Sequence, residues 1–376
     1  MKEYELFIGP QHVGITGNFM VHLTLEGDTV VSAEAHPGYL HRGFEKLMER
    51  RDWSMNVALI PRICVPEPDV NEAAYAMAVE SLMGWDIPER AKYIRTIVLE
   101  LARISAYLLA IGGYAGTIGL YTAPQWMMGD RDYILDLFEE LTGARVYHIF
   151  IFPGGVRWDI PDGFEERVKK VMDYLESRLQ LYDELLFKNE VFFRRAPNIG
   201  VIPKDKAVEW GVTGPNLRAC GYDYDVRRLD PYAAYEEMDF DVISYPDSVK
   251  GFDILSDGCD CYARMVVRRV ELQESIKIIR QAVDNLPPGE VTLKRPNPLA
   301  WKVPKGYAYA RVESSKGEYG YFVVSNGGKN PYRVHVRGPS YTHGINVIET
   351  ILKGSNIADV SPIMFSLDIC PPDIER

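Results

Sequence analysis

The chain has 376 residues, 47% hydrophobic and 25% charged, with a formal net charge of -11. That is enough apolar material for a large core shared by two or three structural layers. The acidic excess excludes direct nucleic-acid binding, which needs clustered Lys and Arg to neutralise phosphates.

The longest apolar stretch, Tyr107 to Leu120, is too short and too closely flanked by charge to span a bilayer. The start, Met1-Lys-Glu-Tyr-Glu-Leu6, lacks the apolar core of a signal peptide, so the expected compartment is the cytoplasm. Alternating apolar positions in Tyr4–Gly9, Met20–Glu26 and Thr29–Glu34, with a Gly27-Asp28 turn, predict a small β-unit. From Val70 to about Gly119 the period becomes 3.6. Asp86-Ile-Pro-Glu-Arg-Ala91 opens a helix there, with Pro88 in its first turn. Asp130–Thr142, Gly163–Phe193 and Asp257–Leu286 read as further helices, and together these imply a central bundle.

Beyond Pro287 the chain turns strand-rich, with Gly306–Glu313, Gly317–Ser325 and Tyr332–Arg337 separated by Gly, Asn and Pro turns. A helix at about Gly344–Leu352 precedes a short C-terminal tail. The expected organisation is α+β: an N-terminal β-unit with a first site loop over 1–60, a helical bundle core over 61–290, and a strand-rich unit with a second site loop over 291–376.

Five cysteines occur, Cys64, Cys220, Cys259, Cys261 and Cys370. An odd count in a reducing cytosol argues against a disulfide framework. Cys259-Asp-Cys261 lacks the second pair or nearby His of a zinc site, and Cys220 reads as packed. Gly112-Gly113 and Gly154-Gly155 lack the strand-to-helix context of a dinucleotide loop.

Gly9-Pro-Gln-His12 and His36-Pro-Gly-Tyr-Leu-His-Arg-Gly-Phe-Glu-Lys46 resemble the opening of the 49 kDa quinone-site subunit of complex I. Asp136-Leu-Phe-Glu-Glu-Leu-Thr-Gly-Ala-Arg145, Gly154-Gly-Val-Arg157, Ser325-Asn-Gly-Gly328 and Pro331-Tyr-Arg-Val334 continue the resemblance in order along nearly the whole chain. It implies the fold shared by those subunits and the [NiFe]-hydrogenase large subunits, a long-helix bundle with β-rich units at both ends.

Hydrogenase large subunits hold nickel and iron with two Cys-x-x-Cys pairs. Here the corresponding segments are Arg62-Ile-Cys64-Val-Pro-Glu67 and Cys370-Pro-Pro-Asp373. The first Cys of each pair survives and the second, bridging one is a carboxylate, which disfavours a nickel-iron site. The resemblance also places Val65 and Thr16 where complex I subunits carry the Tyr and His that hold a quinone head group. A valine cannot donate to a quinone oxygen, and an unpaired oxygen costs about 1–3 kcal/mol.

What remains resembles the large subunits of archaeal membrane-bound complexes that reduce sulfane sulfur. That resemblance implies Cys64 and Cys370 as catalytic thiols meeting in one cleft, with no cofactor or metal held by this chain. Electrons would come from a [4Fe-4S] cluster in an adjacent small subunit. The other implied partners are a ferredoxin-like cluster subunit, a complex I 30 kDa-like subunit and membrane-arm subunits, at the cytoplasmic face of the membrane. Arg62 is expected to lower the Cys64 pKa and hold an anionic polysulfide. Glu67 and Asp373 are expected to supply protons or to act as plain ion-pair or cap residues. His41, Arg42 and Glu45 are expected to support charge at the cavity or simply to pair, and His12 and His36 read as structural histidines. Rival readings are a complex I-like subunit serving a quinone or nicotinamide acceptor, a non-catalytic scaffold for the cluster subunit, and a zinc site of Cys64, Glu67, Cys370 and Asp373.

Overall fold

The computed structural model describes residues 3–15 and 17–376. Strands β1 (Glu3–Ile8), β2 (Met20–Glu26) and β3 (Thr29–His36) form an antiparallel sheet in that order. Its inner face carries Val21, Leu23, Leu25 and Val30, all fully buried. A short helix, α1 (Phe44–Arg50), leads toward α2 (Pro68–Met83), α3 (Glu89–Thr117), α4 (Thr122–Thr142), α5 (Phe164–Tyr182) and α6 (Cys261–Asp284). The second sheet is a meander of β4 (Gly306–Ser314), β5 (Gly317–Ser325) and β6 (Arg333–Arg337).

The expected elements are present with shifted edges. Pro88 stands immediately before α3, and α2 and α3 are separated by a turn at Gly84 with φ +63°. Helix α4 begins eight residues before Asp130, because packing on α3 outweighs the helix cost of Gly129, about 1 kcal/mol. The run expected as one helix to Phe193 is broken. It widens into a π-turn at Asp183–Phe187, where Asp183 reaches Arg269 of α6 with two bonds of 2.7 Å, and a separate helix follows at Glu190–Arg195.

The largest departure is the C-terminal tail, which is a buried helix, α7 (Val360–Leu367), followed by a single turn, α8 (Pro371–Ile374). Its sequence is too short and apolar to show a period, and the fold threads it beside α3 and α6. Ser366 Oγ accepts from the Arg264 guanidinium at 2.8 and 3.0 Å, and Asn216 Nδ2 donates to the Leu367 carbonyl at 3.0 Å. No helix among the described residues is long and apolar enough to cross a membrane.

Helix α3 is buried on nearly every side, so its polar residues need partners inside the protein. Glu100 pairs with Arg103 at 3.2 Å and with Arg227 at 3.1 Å, and accepts the Tyr235 hydroxyl at 2.6 Å. Arg227 also pairs with Asp225 at 2.6 Å. Arg218, wholly buried, pairs with Glu271 of α6 at 2.6 Å and with Glu313 of β4 at 2.7 Å. Burial alone would raise the Glu100 pKa, but Arg103 and Arg227 hold it at about 2.

This network joins α3, α6, β4 and the 213–237 segment. Truncating Arg218 to Ala would strand buried carboxylates, and breaking a buried pair from one side costs about 3–5 kcal/mol. Urea unfolding of Arg218→Ala is expected to show a loss of that size at unchanged m-value. A loss below about 1 kcal/mol, the range of surface pairs, would show that the network is not structural.

Candidate active site

Cys64 lies just past a tight helical turn, Ile60–Arg62, and Cys370 is the residue that caps α8. The fold brings these expected thiols together from opposite ends of the chain. Both are buried and reduced, and the two thiols are neighbours that act on one another electrostatically. Cys370 is fixed through its backbone N–H, which donates to Ser340 Oγ at 3.0 Å. Cys370, burial and the nearby Asp373 charge push the Cys64 thiol well up, and Lys316 opposes them.

Lys316 was not signalled by the sequence. It sits in the two-residue turn between β4 and β5, a place where lysine is ordinarily in water. Here Ser315 and Lys316 are 0% and 2% exposed. The turn can enter the core because Gly317, at φ +141°, and Gly214 pass so closely that a Cβ on Gly214 would lie 2.3 Å from Gly317 Cα. Lys316 Nζ donates to Asp368 Oδ2 at 2.8 Å. Burial disfavours its charge, but Asp368, Cys64, Glu67 and Cys370 outweigh that and raise its pKa.

Glu67 and Asp373, each three residues after a site cysteine, are fully buried and anchored. Glu67 accepts the Ser315 N–H at 2.9 and 3.0 Å and the Ser315 hydroxyl at 2.6 Å, so it grips the turn that carries Lys316. Asp373 accepts the Ser340 N–H at 3.1 Å and has the Tyr319 hydroxyl beside it. Gly338 is required there, since a Cβ would lie 1.3 Å from Asp373 Oδ1. Burial raises both carboxyl pKa values against these donors. The four donors of the zinc alternative do not converge on one point among the described residues.

Other expected site residues divide into wall and clamp. Arg62 donates to the Ala58 carbonyl and lies over the Tyr147 ring at 5.0 Å, so the cation acting on Cys64 is Lys316 rather than Arg62. Arg42 lines the cavity and donates to the Arg62 carbonyl at 2.8 Å. His41 Nδ1 meets the Glu375 carbonyl at 2.8 Å. Glu45 pairs with Arg333 at 2.8 Å and Arg376 at 3.3 Å, so His41 and Glu45 fasten the C-terminal turn. His12 accepts the Gly14 N–H at 3.0 Å. The remaining cysteines are free; Cys220 Sγ donates to the Asn216 carbonyl at 3.4 Å, while Cys261 Sγ donates to Ser366 Oγ at 3.2 Å.

A cavity of about 570 Å³ opens onto Cys370. Val65, Leu109, Met128, Phe365 and Ile369 make most of its wall, with Arg42, Lys316 and Asp368 as polar points. Val65 thus stands in the wall, while Thr16, the other position expected to lack a quinone ligand, lies outside the described residues.

The family model described as Respiratory-chain NADH dehydrogenase, 49 Kd subunit, matches residues 117–302 and 299–376. The chain belongs to this family. An NADH-quinone oxidoreductase subunit of Thermosipho melanesiensis is 50% identical to it, over 100% of both chains. An F(420)H(2) dehydrogenase subunit of Methanosarcina mazei is 36% identical, over 100% of this chain and 98% of that one. Among solved structures, a chain of the membrane-bound sulfane sulfur reductase, an archaeal respiratory membrane complex, matches with a TM-score of 0.93. It is 50% identical, with 99% of this chain and 98% of that chain covered. The complex I 49 kDa fold expected from the resemblance is therefore the fold observed.

Because the Lys316 ammonium favours the Cys64 thiolate, Lys316→Met is expected to move the pH profile of Cys64 alkylation upward. Iodoacetamide labelling followed by peptide mapping measures it, with Lys316→Arg as the charge-retaining control. An unchanged profile would remove Lys316 from the electrostatics of the pair.

Proposed function

We propose that this chain is the catalytic subunit of a ferredoxin-driven, ion-translocating membrane oxidoreductase that reduces polysulfide and related sulfane sulfur at Cys64 and Cys370. The observation that carries the reading is the pair of neighbouring buried thiols, one of them at the cavity wall, with a buried ammonium acting on both. The 50% identity to a sulfane sulfur reductase chain supports it. On this reading the chain sits in the peripheral arm at the cytoplasmic face, against an iron-sulfur small subunit, with ferredoxin-like, 30 kDa-like and membrane-arm subunits as further partners.

Cys370 opens on the cavity and Cys64 does not, so Cys370 is the sulfur placed to attack. Its thiolate displaces one fragment of the substrate S–S bond, which leaves as a hydrosulfide or thiol after taking a proton. The Cys64 thiol then loses its proton and attacks Cys370 sulfur, releasing the second fragment and closing a Cys64–Cys370 disulfide. Two electrons and two protons restore the dithiol, so one substrate S–S bond is reduced per cycle. A [4Fe-4S] cluster in the partner subunit would supply those electrons. Lys316 offsets anionic charge during the exchange, and Asp373, protonated below its raised pKa, is the proton donor within reach of the pair.

In the purified complex, Cys64→Ser and Cys370→Ser are each expected to lower polysulfide reduction at least about a hundredfold, within the range for losing a covalent catalyst. Full activity in either variant would sink the proposal. Asp373→Asn is expected to lower turnover and abolish the decline in rate as pH rises through the raised carboxyl pKa. The sign follows because the protonated, donating form exists only below that pKa. A declining limb that persists in the variant would assign the proton to another group.

A quinone acceptor is the second reading, favoured by the apolar cavity wall and by the relative named as an NADH-quinone oxidoreductase subunit. Turnover of a quinone analogue that survives both cysteine substitutions would select it.

A further inference from the structure

The outer face of the N-terminal sheet carries a second cluster of coordinating groups, separate from the thiol site. His22 of β2 stands opposite Glu34 of β3, and Met20 opposite His36, so strand alternation puts His22, Glu34 and His36 on one face. One ring nitrogen from each imidazole and a Glu34 carboxylate oxygen all lie within 4.8 Å of one another. Both Nε2 atoms are shielded from solvent and have no hydrogen-bond partner among the described residues. A shielded ring nitrogen without a partner is uncommon and calls for a ligand.

Each ring nitrogen has a carboxylate oxygen at the same distance. His36 Nε2 is 3.6 Å from Glu34 Oε2, and His22 Nε2 is 3.6 Å from Glu5 Oε2. That is too long for a hydrogen bond. It is close to the roughly 3.4 Å that separates two ligands of a tetrahedral cation with bonds of about 2.0–2.1 Å. The His22 ring is held in place by stacking on Phe7, with centroids 4.3 Å apart and planes 6° from parallel.

We propose that His22, Glu34 and His36 bind a divalent transition-metal ion of the Zn²⁺ class, with Glu5 or water completing the coordination. Two imidazoles with a carboxylate suit zinc, whereas calcium and magnesium take oxygen ligands. The position gives the ion a structural consequence. The segment after His36 holds Glu375 through Leu40 and His41, and the segment before Met20 brings Gly17 against Pro371. An ion clamping β2 to β3 would fasten both segments that frame the thiol cavity.

The test is Zn²⁺ binding to the purified full-length chain, by competition with a chromogenic chelator and by elemental analysis after dialysis. One equivalent of Zn²⁺ is expected per chain, with the same stoichiometry in Cys64→Ser/Cys370→Ser. His36→Ala and Glu34→Gln are each expected to weaken binding at least about tenfold, the loss already seen for outer-shell partners of metal sites. His22→Ala/His36→Ala is expected to abolish it while leaving the circular dichroism spectrum unchanged. Four-coordinate Co²⁺ bands in the wild type, absent from Glu34→Gln, provide a readout should the double variant fold poorly. Absence of stoichiometric uptake, or one equivalent retained in a folded double variant, overturns the proposal. So does dependence of the bound ion on Cys64 and Cys370.

Discussion

The buried ion-pair network around Arg218, Arg227 and Arg103 is the constraint on which the rest of the molecule depends. Each of its carboxylates comes from a different part of the chain: Glu100 from α3, Glu271 from α6, Glu313 from β4, and Asp225 from the segment between. Charges removed from water are tolerable only when every one is matched, so these elements have little freedom to slide against one another. Glu313 is the last residue but one of β4, and the turn that follows it is Ser315-Lys316. The network therefore fixes the root of the turn that delivers the buried ammonium to the thiols.

From that turn the site is assembled by a second set of bonds. Glu67 grips Ser315, Lys316 reaches Asp368, and Ser340 holds both the Cys370 N–H and the Asp373 carboxylate. Cys64 and Cys370 meet because the loop before α2 and the turn after α7 are tied to the same hairpin region. Glu67 and Asp373 are thus committed to protein donors, and the centre is two thiols framed by hydrogen-bonded acids. Cys370, burial and the Asp373 charge hold the Cys64 thiol well above its ordinary pKa, against the pull of the Lys316 ammonium.

Much of the fold was legible because long helices and alternating strands carry their periods openly. The bundle and the strands of both sheets follow from the apolar spacing. The pairing of Cys64 with Cys370 was legible only through the family resemblance, since no local pattern links residues at opposite ends of a chain. Helix α7 escaped because a short, uniformly apolar segment has no period to read. Lys316 escaped for a related reason: Ser-Ser-Lys-Gly is an ordinary surface turn by composition, and its burial depends on the close passage of Gly214 and Gly317. Arg62 was the more visible cation, two residues from Cys64, but its side chain finds the Ala58 carbonyl and the Tyr147 ring first.

By itself the sequence determined the family and the class of fold, and the resemblance singled out Cys64 and Cys370. These are properties of residue identity and spacing along the chain. The tertiary structure alone decided which charge faces the thiols, which carboxylates are bound to protein donors, and that the C-terminal turn lies in the centre of the molecule. Those outcomes depend on burial and on hydrogen bonds between residues distant in sequence. Direction and desolvation, which set a side chain's chemistry, have no trace in one dimension.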